Sequence, residues 1–247
     1  MGFARGPKIV TDGLVMTLDA ASTRSYPGSG TTWFDQSGNG FNASLNNSPT
    51  HTASEQGYFT FNGTDQYTSQ TSLPTIDTST DSYTIEVWFK FITLPTGNID
   101  SNTNIAGPIY GERAGSNYQL FGYPADGGAS ALGACYDDSR TNSAHKTTAT
   151  VTAGQWVQFV HIGTPSGDGT TRGKFTYYVN GVLDTAATLS SDSNGYSIPT
   201  TFHIAHDARY SNNYSNLAMS AVRRYNRELT AAEVAQNYNA LKSRFDL

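Results

Sequence analysis

The sequence predicts an all-β fold: a two-sheet antiparallel sandwich of the jelly-roll type, closed by one short C-terminal helix. Three observations carry this. Only 14% of the residues are charged, while Gly numbers 24, Tyr 15 and Phe 12, a mix that suits strands and tight turns rather than helices. Short stretches of alternating apolar and polar residues recur along the chain, separated by turn signals at intervals of roughly 8 to 15 residues, with no strand–helix–strand alternation. A strong helix-start signal stands near the end, at Thr230-Ala-Ala-Glu233, where the threonine hydroxyl and glutamate carboxylate each satisfy a backbone N–H left free by the first turn. At 247 residues the chain is long enough for one large β domain that buries about 70–75% of its unfolded surface. The expected organisation is an N-terminal arm over 1–12 and a single domain over 13–247.

The elements follow in order. Leu14, Met16 and Leu18 alternate with Val15, Thr17 and Asp19, the period of a first strand. Tyr26 to Trp33 and Asp35-Gln-Ser-Gly-Asn-Gly40 are dense in Gly, Asn and Asp, residues that tolerate positive φ or bond their own backbone, and read as consecutive turns. Phe41, Ala43 and Leu45 begin a second strand. Tyr58-Phe-Thr-Phe61 is a third, ending in Asn62-Gly63, a hairpin signal, before Tyr67 resumes the extended pattern. Tyr83 to Phe91 alternates most clearly and is expected to be central, with Trp88 partly covered. Ile105 to Tyr110, Asn117 to Gly122 and Ala131 to Tyr136 read as shorter strands between Gly-rich loops. Trp156 to Ile162 alternates again, and Phe175 to Val179 runs through Asn180-Gly181, a second expected type I′ turn, into Val182 to Leu189. Thr201 to His206 is the penultimate strand. Leu217 to Tyr225 closes the sheet, with Leu217, Met219 and Ala221 on one face and Ala218, Ser220 and Val222 on the other. Val234, Tyr238, Leu241 and Phe245 then form one apolar helical stripe, which is expected to cover the seam where Leu14–Leu18 pairs beside the closing strand.

Composition narrows the function. A formal charge of -5, from 15 basic and 20 acidic residues without a Lys/Arg cluster, argues against nucleic acid as a partner. No apolar run approaches the ~18 residues of a membrane span, and residues 1–8 hold no apolar segment of the kind a secretory signal needs, so a chain made in the cytoplasm is expected. Cys135 is the single cysteine, which excludes an intrachain disulfide; it reads as a small buried side chain.

A family resemblance spans nearly the whole chain. Gly13 to Ser22, Ser25 to Trp33, Asp35 to Gly40, Phe59-Thr-Phe-Asn-Gly-Thr-Asp-Gln-Tyr67, Glu86-Val-Trp-Phe89, Gly154-Gln-Trp156, Tyr178-Val-Asn-Gly181 and Tyr225-Asn-Arg-Glu-Leu229 occur in the order found in concanavalin A-like, laminin G-like jelly-roll domains, and the chain resembles those of tailed-phage structural proteins. The resemblance implies a virion protein: a capsid decoration or a fibre or tail-tip module that docks on other virion proteins and contacts host-surface glycans, and it allows a homo-oligomer. Two departures stand out. The usual Ile-Gly after the penultimate strand is replaced by Ala205-His-Asp207, and Arg223-Arg224 occupy positions where an apolar residue before Tyr225 is commoner. Both are expected to add polarity beside a loop where this fold often presents a ligand.

The chemistry-bearing residues favour binding over catalysis. Glycoside hydrolysis needs two carboxylates about 5–9.5 Å apart, and the Glu-x-Asp-x-x-Glu strand motif of glucanases resembling this fold is missing. Glu86 sits alone on its strand, and Glu112, Glu228 and Glu233 fall in an expected loop, a turn and a helix cap. The alternative is a glycan-active enzyme, hydrolase or lyase-like, with its carboxylates on loops. His51, His145, His161, His203 and His206 are scattered, and His203 and His206 would point to opposite faces of a strand. Gly-x-Ser-x-Gly is absent. Sugars are bound by aromatic rings with planar polar groups beside them, which selects two loops: Tyr136, Asp137, Asp138 and Arg140, and His206, Asp207, Arg209, Tyr210 and Tyr214, the latter with Asn212 and Asn213. Asp137, Asp138, Asp207 and Asp35 with Asn39 offer hard oxygens for a structural Ca²⁺, but without an EF-hand-like spacing no cofactor is assigned.

Overall fold

The computed structural model describes residues 7–54, 56–95, 105–114, 117–124, 131–137, 145–165, 173–188, 197–198 and 200–247. In chain order the strands are β1 (Leu14–Asp19), β2 (Thr32–Trp33), β3 (Ala43–Asn46), β4 (Thr50–Thr52), β5 (Tyr58–Asn62), β6 (Tyr67–Gln70), β7 (Ile76–Asp77), β8 (Tyr83–Phe91) and β9 (Ile105–Ala114). They continue as β10 (Asn117–Pro124), β11 (Ala131–Asp137), β12 (His145–Thr150), β13 (Val157–Thr164), β14 (Lys174–Val179), β15 (Val182–Thr188), β16 (Ser197–Ile198), β17 (Phe202–Ile204) and β18 (Asn216–Tyr225). Helix α1 (Ala231–Leu241) and a 3-10 turn, Lys242–Phe245, follow.

Two antiparallel sheets face each other. The first has the order β15-β14-β13-β8-β18-β5-β4, with β1 beside β18; the second runs β12-β11-β10-β9-β17-β6-β3-β2, and β7 and β16 form a separate ribbon. β1 pairs with β18 from Leu14 opposite Tyr225 to Asp19 opposite Ala221, so the two ends of the fold meet as the sequence predicts. The core between the sheets takes Val87, Phe89, Phe91, Phe159, Leu217 and Met219 from one and Trp33, Leu45, Ile109, Phe121, Phe202 and Ile204 from the other. Burying a side chain of this size contributes about 1.5–3 kcal/mol.

Helix α1 lies on the outer face of the first sheet. Its capping box is present at Thr230 and Glu233. Trp88, expected to be partly covered, is fully buried there, stacked on Tyr238 at 5.8 Å and on Phe245 at 4.5 Å. Beneath the helix sits a polar cluster centred on Glu86. Its Oε1 accepts from Trp88 Nε1 at 2.9 Å, Gln158 Nε2 at 2.9 Å and Arg223 at 3.1 Å, and its Oε2 accepts from Asn237 Nδ2 at 2.7 Å. Asn237 also donates to the Tyr225 hydroxyl and accepts from Val10 N–H at 2.7 Å, tying helix, central strands and N-terminal arm together. Burial pushes the Arg223 guanidinium down, but the facing Glu86 carboxylate, together with Tyr225 and Asp19, outweighs it and holds Arg223 above its ordinary range.

Several expectations are corrected. Asn62-Gly63 is not a hairpin: β5 belongs to the first sheet and β6 to the second, and Asn62 Oδ1 accepts the N–H groups of Thr64, Asp65 and Gln66, turning the chain across the sandwich. Asn180-Gly181 is a true hairpin, with positive φ at both residues and Val179 opposite Val182. The alternation in β18 slips where the register shifts between Met219 and Ala221. Met219 and Val222 therefore join the inter-sheet core, and Ala218 and Ala221 pack under the helix. Glu112 lies in β9, not a loop. Arg223 and Arg224 add no polarity to a ligand loop. Both are buried, Arg223 on Glu86 under the helix and Arg224 3.1 Å from Glu112 between the sheets. Strands β2, β4, β7, β12 and β16 have no counterpart in the sequence reading.

Candidate functional site

The first sheet is capped by α1, and among the described residues no helix covers the second. There the alternation is inward-buried and outward-open: Leu45, Thr68, Gln70, Phe202 and Ile204 are buried, while Ser44, Asn46, Tyr67, Ser69 and His203 keep exposure. The backbone then does something the sequence reading missed. Ala205 adopts φ 62°, a left-handed conformation that costs an L-residue about 1–2 kcal/mol. It breaks the strand period, so His206 returns to the side of His203 instead of pointing through the sheet. The two imidazoles come to 5.5 Å between centroids.

Around them the rings form one platform. His206 stacks on Tyr214 at 4.3 Å and 10°, and Tyr67 on β6 lies 4.9 Å from His206 and 6.1 Å from Tyr214. All four rings, Tyr67, His203, His206 and Tyr214, are partly exposed. An isolated bridge between His206 and Tyr214 and the bond from Asp207 N–H to Asn213 O at 3.0 Å make the connecting segment a tight hairpin. Asp207 organises it: buried, it accepts from Arg209 N–H at 3.1 Å and from the Arg209 guanidinium, Nε being 2.8 Å from Oδ1. Arg209 in turn lies 5.2 Å from the Tyr210 ring. Arg113 of β9 reaches back to bond the Ala208 carbonyl, pinning the hairpin against the sheet. Because the Tyr210 carbonyl can only accept, the 3.1 Å contact from His206 Nε2 places the proton on Nε2.

These surroundings keep both histidines neutral. Burial, followed by the neighbouring His206 and Arg113, lowers His203 to about 4. Burial also lowers His206, against the Tyr210 carbonyl bond and Asp207, which raise it. Burial and the nearby Tyr67 and Asp65 push the Tyr214 hydroxyl up. The site thus presents uncharged rings flanked by a fixed Asp–Arg pair, a surface suited to C–H faces and hydroxyl groups.

The second candidate loop is elsewhere. Tyr136 is level with Gln119, Glu112 and Phe202 through successive pairings. It is therefore three strands, about 14 Å, across the sheet and away from the end of β17 that leads to His206. Asp138 and Arg140 lie outside the described residues, as do the side chains of Tyr136, Asp137 and Cys135. Asp35 is engaged by protein donors: it accepts from Thr17, Ser37 and Phe41 N–H and from the Ser37 hydroxyl, while Asn39 donates to the Val15 carbonyl at 2.8 Å. The Asp35–Gly40 motif is accordingly a turn that seats β1. Among the described residues no group of three or more His, Cys, Asp or Glu side chains could hold a metal ion.

Tyr67 and Arg113 were not singled out as site residues by the sequence. In β6 both faces read as polar (Tyr67, Ser69 against Thr68, Gln70), so periodicity gives no sign of which faces solvent, and Arg113 joins the hairpin only through the backbone reversal at Ala205.

Comparison with known proteins follows the same lines. The chain superposes on Trypanosoma rangeli sialidase in complex with 2,3-difluorosialic acid with a TM-score of 0.66 at 16% identity, covering 97% of this chain and 35% of that one. It matches the binding domain of Paraclostridial Mosquitocidal Protein 1 with a TM-score of 0.68 at 14% identity, over 93% of this chain and 52% of that one. Domain 4 of AbnA, a GH43 extracellular arabinanase from Geobacillus stearothermophilus in complex with arabinotriose, matches with a TM-score of 0.62 at 12% identity, over 91% of this chain and 98% of that one. The chain thus spans about a third of the sialidase and about half of the toxin chain, and at these identities the likeness is one of fold. No curated protein matches in sequence. The laminin G-like family described as the concanavalin A-like lectin/glucanases superfamily matches residues 62–235, well over half the chain, and the protein belongs to that family.

Proposed function

We propose that this domain is a non-enzymatic glycan-binding module carried on a phage virion, as a capsid decoration or as a fibre or tail-tip component. The observation that carries the glycan reading is the half-exposed platform of Tyr67, His203, His206 and Tyr214 on the uncovered face of the second sheet, flanked by Arg209 and Tyr210. Domain 4 of the arabinanase, of the same fold, holds arabinotriose. The two strand glutamates, Glu86 and Glu112, are each buried against an arginine, which suits structural rather than catalytic roles. The virion reading is supported by the order of motifs along the chain. Many copies on one particle would raise weak single-site binding by about 10²–10⁴. The test has two arms. On a glycan array, the fluorescent domain is expected to retain a subset of glycans that Tyr214→Ala loses, with no release of reducing ends; turnover of any bound glycan overturns the non-enzymatic reading. Mass spectrometry of purified particles is expected to find the chain, and its absence from them overturns the virion reading.

A further inference from the structure

At the other end of β18 from the platform, a cleft of about 510 Å³ opens between the 74–82 segment and the end of β18. Its floor includes Arg224, which is 1% exposed. Nη1 of this guanidinium donates to the Pro74 carbonyl at 2.8 Å, and Nε lies 3.1 Å from Glu112 Oε1, an ion pair without hydrogen-bond geometry. Nη2 is buried without a hydrogen-bond partner among the described residues. A buried charged donor left unmatched is costly, and its residue lines a volume in the range of small-ligand sites. The rim supplies the hydroxyls of Thr75, Thr80 and Ser82, the Asp81 carboxylate and the Asn226 amide.

We infer that this cleft is a second saccharide subsite, taking one neutral, hydroxyl-bearing ring whose oxygen meets Arg224 Nη2. Charge selects the class. Glu112 already balances Arg224, and the ionisable residue at the rim is the acidic Asp81. An anion therefore meets no net positive charge, whereas a sugar ring finds donors and acceptors together. Nine residues of extended chain, roughly 30 Å, separate the cleft beside Tyr225 from the platform beside Asn216, so one domain can hold two glycan strands. The ligand class rests on the glycan-binding reading, but the two sites report separately.

The experiment is an amide NMR titration of the full chain with methyl α-glucoside, methyl β-galactoside, N-acetylglucosamine and sodium glucuronate, taken through about 1 mM, the weak end of the affinity scale. A neutral sugar is expected to shift Thr75, Ser82 and Asn226. Thr75→Trp, a substitution at an exposed rim position that leaves the buried Arg224 in place, is expected to remove those shifts, and Tyr214→Ala to leave them. No neutral sugar perturbing the cleft overturns the inference, as does glucuronate binding there at least tenfold more tightly than the neutral sugars. Loss of shifts at His206 and Tyr214 alone would instead count against the platform.

Discussion

Replacing Glu86 by alanine tests what holds this fold together. Glu86 is fully buried and accepts four hydrogen bonds, one of them from Arg223, itself 1% exposed. Truncation leaves the Arg223 guanidinium buried under α1 without its counter-charge, and removal of one partner of a buried pair costs about 3–5 kcal/mol. That is a large part of the 5–15 kcal/mol by which a folded domain typically exceeds its unfolded state. At about 2–4 °C per kcal/mol for a chain of this size, the melting temperature should fall by roughly 6–20 °C. Glu86→Gln keeps the shape and one of the two acceptor oxygens but not the charge, and should melt between the parent and the alanine variant. Differential scanning calorimetry gives the answer. An alanine variant melting within about 2 °C of the parent would refute the claim that the Glu86–Arg223 pair and Asn237 clamp the helix to the sheet. It would also return Glu86 to the pool of candidate catalytic carboxylates.

Other outcomes follow from the same structure. Deleting residues 230–247 removes the cover over Trp88 and the Asn237 bonds and should unfold the domain; circular dichroism showing an unchanged melt would contradict this. Thr230→Ala should cost about 1 kcal/mol by removing the cap on α1, measured by urea titration. His203, held at about 4 when folded against an ordinary 6.5, takes up a proton more readily in the unfolded chain. Its contribution to stability is thus complete above pH 6.5 and is lost as pH falls toward 4, by at most about 3 kcal/mol. His203→Asn should flatten that part of the stability–pH profile, and an identical slope in both proteins would count against a partly buried, neutral histidine.

Much of the architecture is legible in the sequence because its signals are local. The capping box at Thr230, the Asn180-Gly181 turn and the alternation of Tyr83–Phe91 each specify their geometry within a few residues, and the structure shows all three. The site is less legible because it depends on two backbone irregularities. The positive φ of Ala205 puts His203 and His206 on one side, and the register shift in β18 moves Arg223 under the helix and Arg224 between the sheets. An alanine in a left-handed conformation and a slipped register leave no mark on an apolar–polar pattern, so periodicity assigns the wrong faces downstream of each. Tyr214 and Tyr210 were reachable from composition alone, as aromatics in a polar loop; their partner Tyr67 is 147 residues from Tyr214 in the chain and meets it only through the pairing of β6 with β17.

The most direct test is a crystal structure of the domain soaked with an oligosaccharide selected on the glycan array. A sugar ring resting over Tyr67, His206 and Tyr214, together with at least a tenfold loss of affinity (about 1.4 kcal/mol) in Tyr214→Ala, is the expected result. A bound sugar seated instead at the 136–140 segment, with the platform bare and Tyr214→Ala binding as the parent does, would contradict the account.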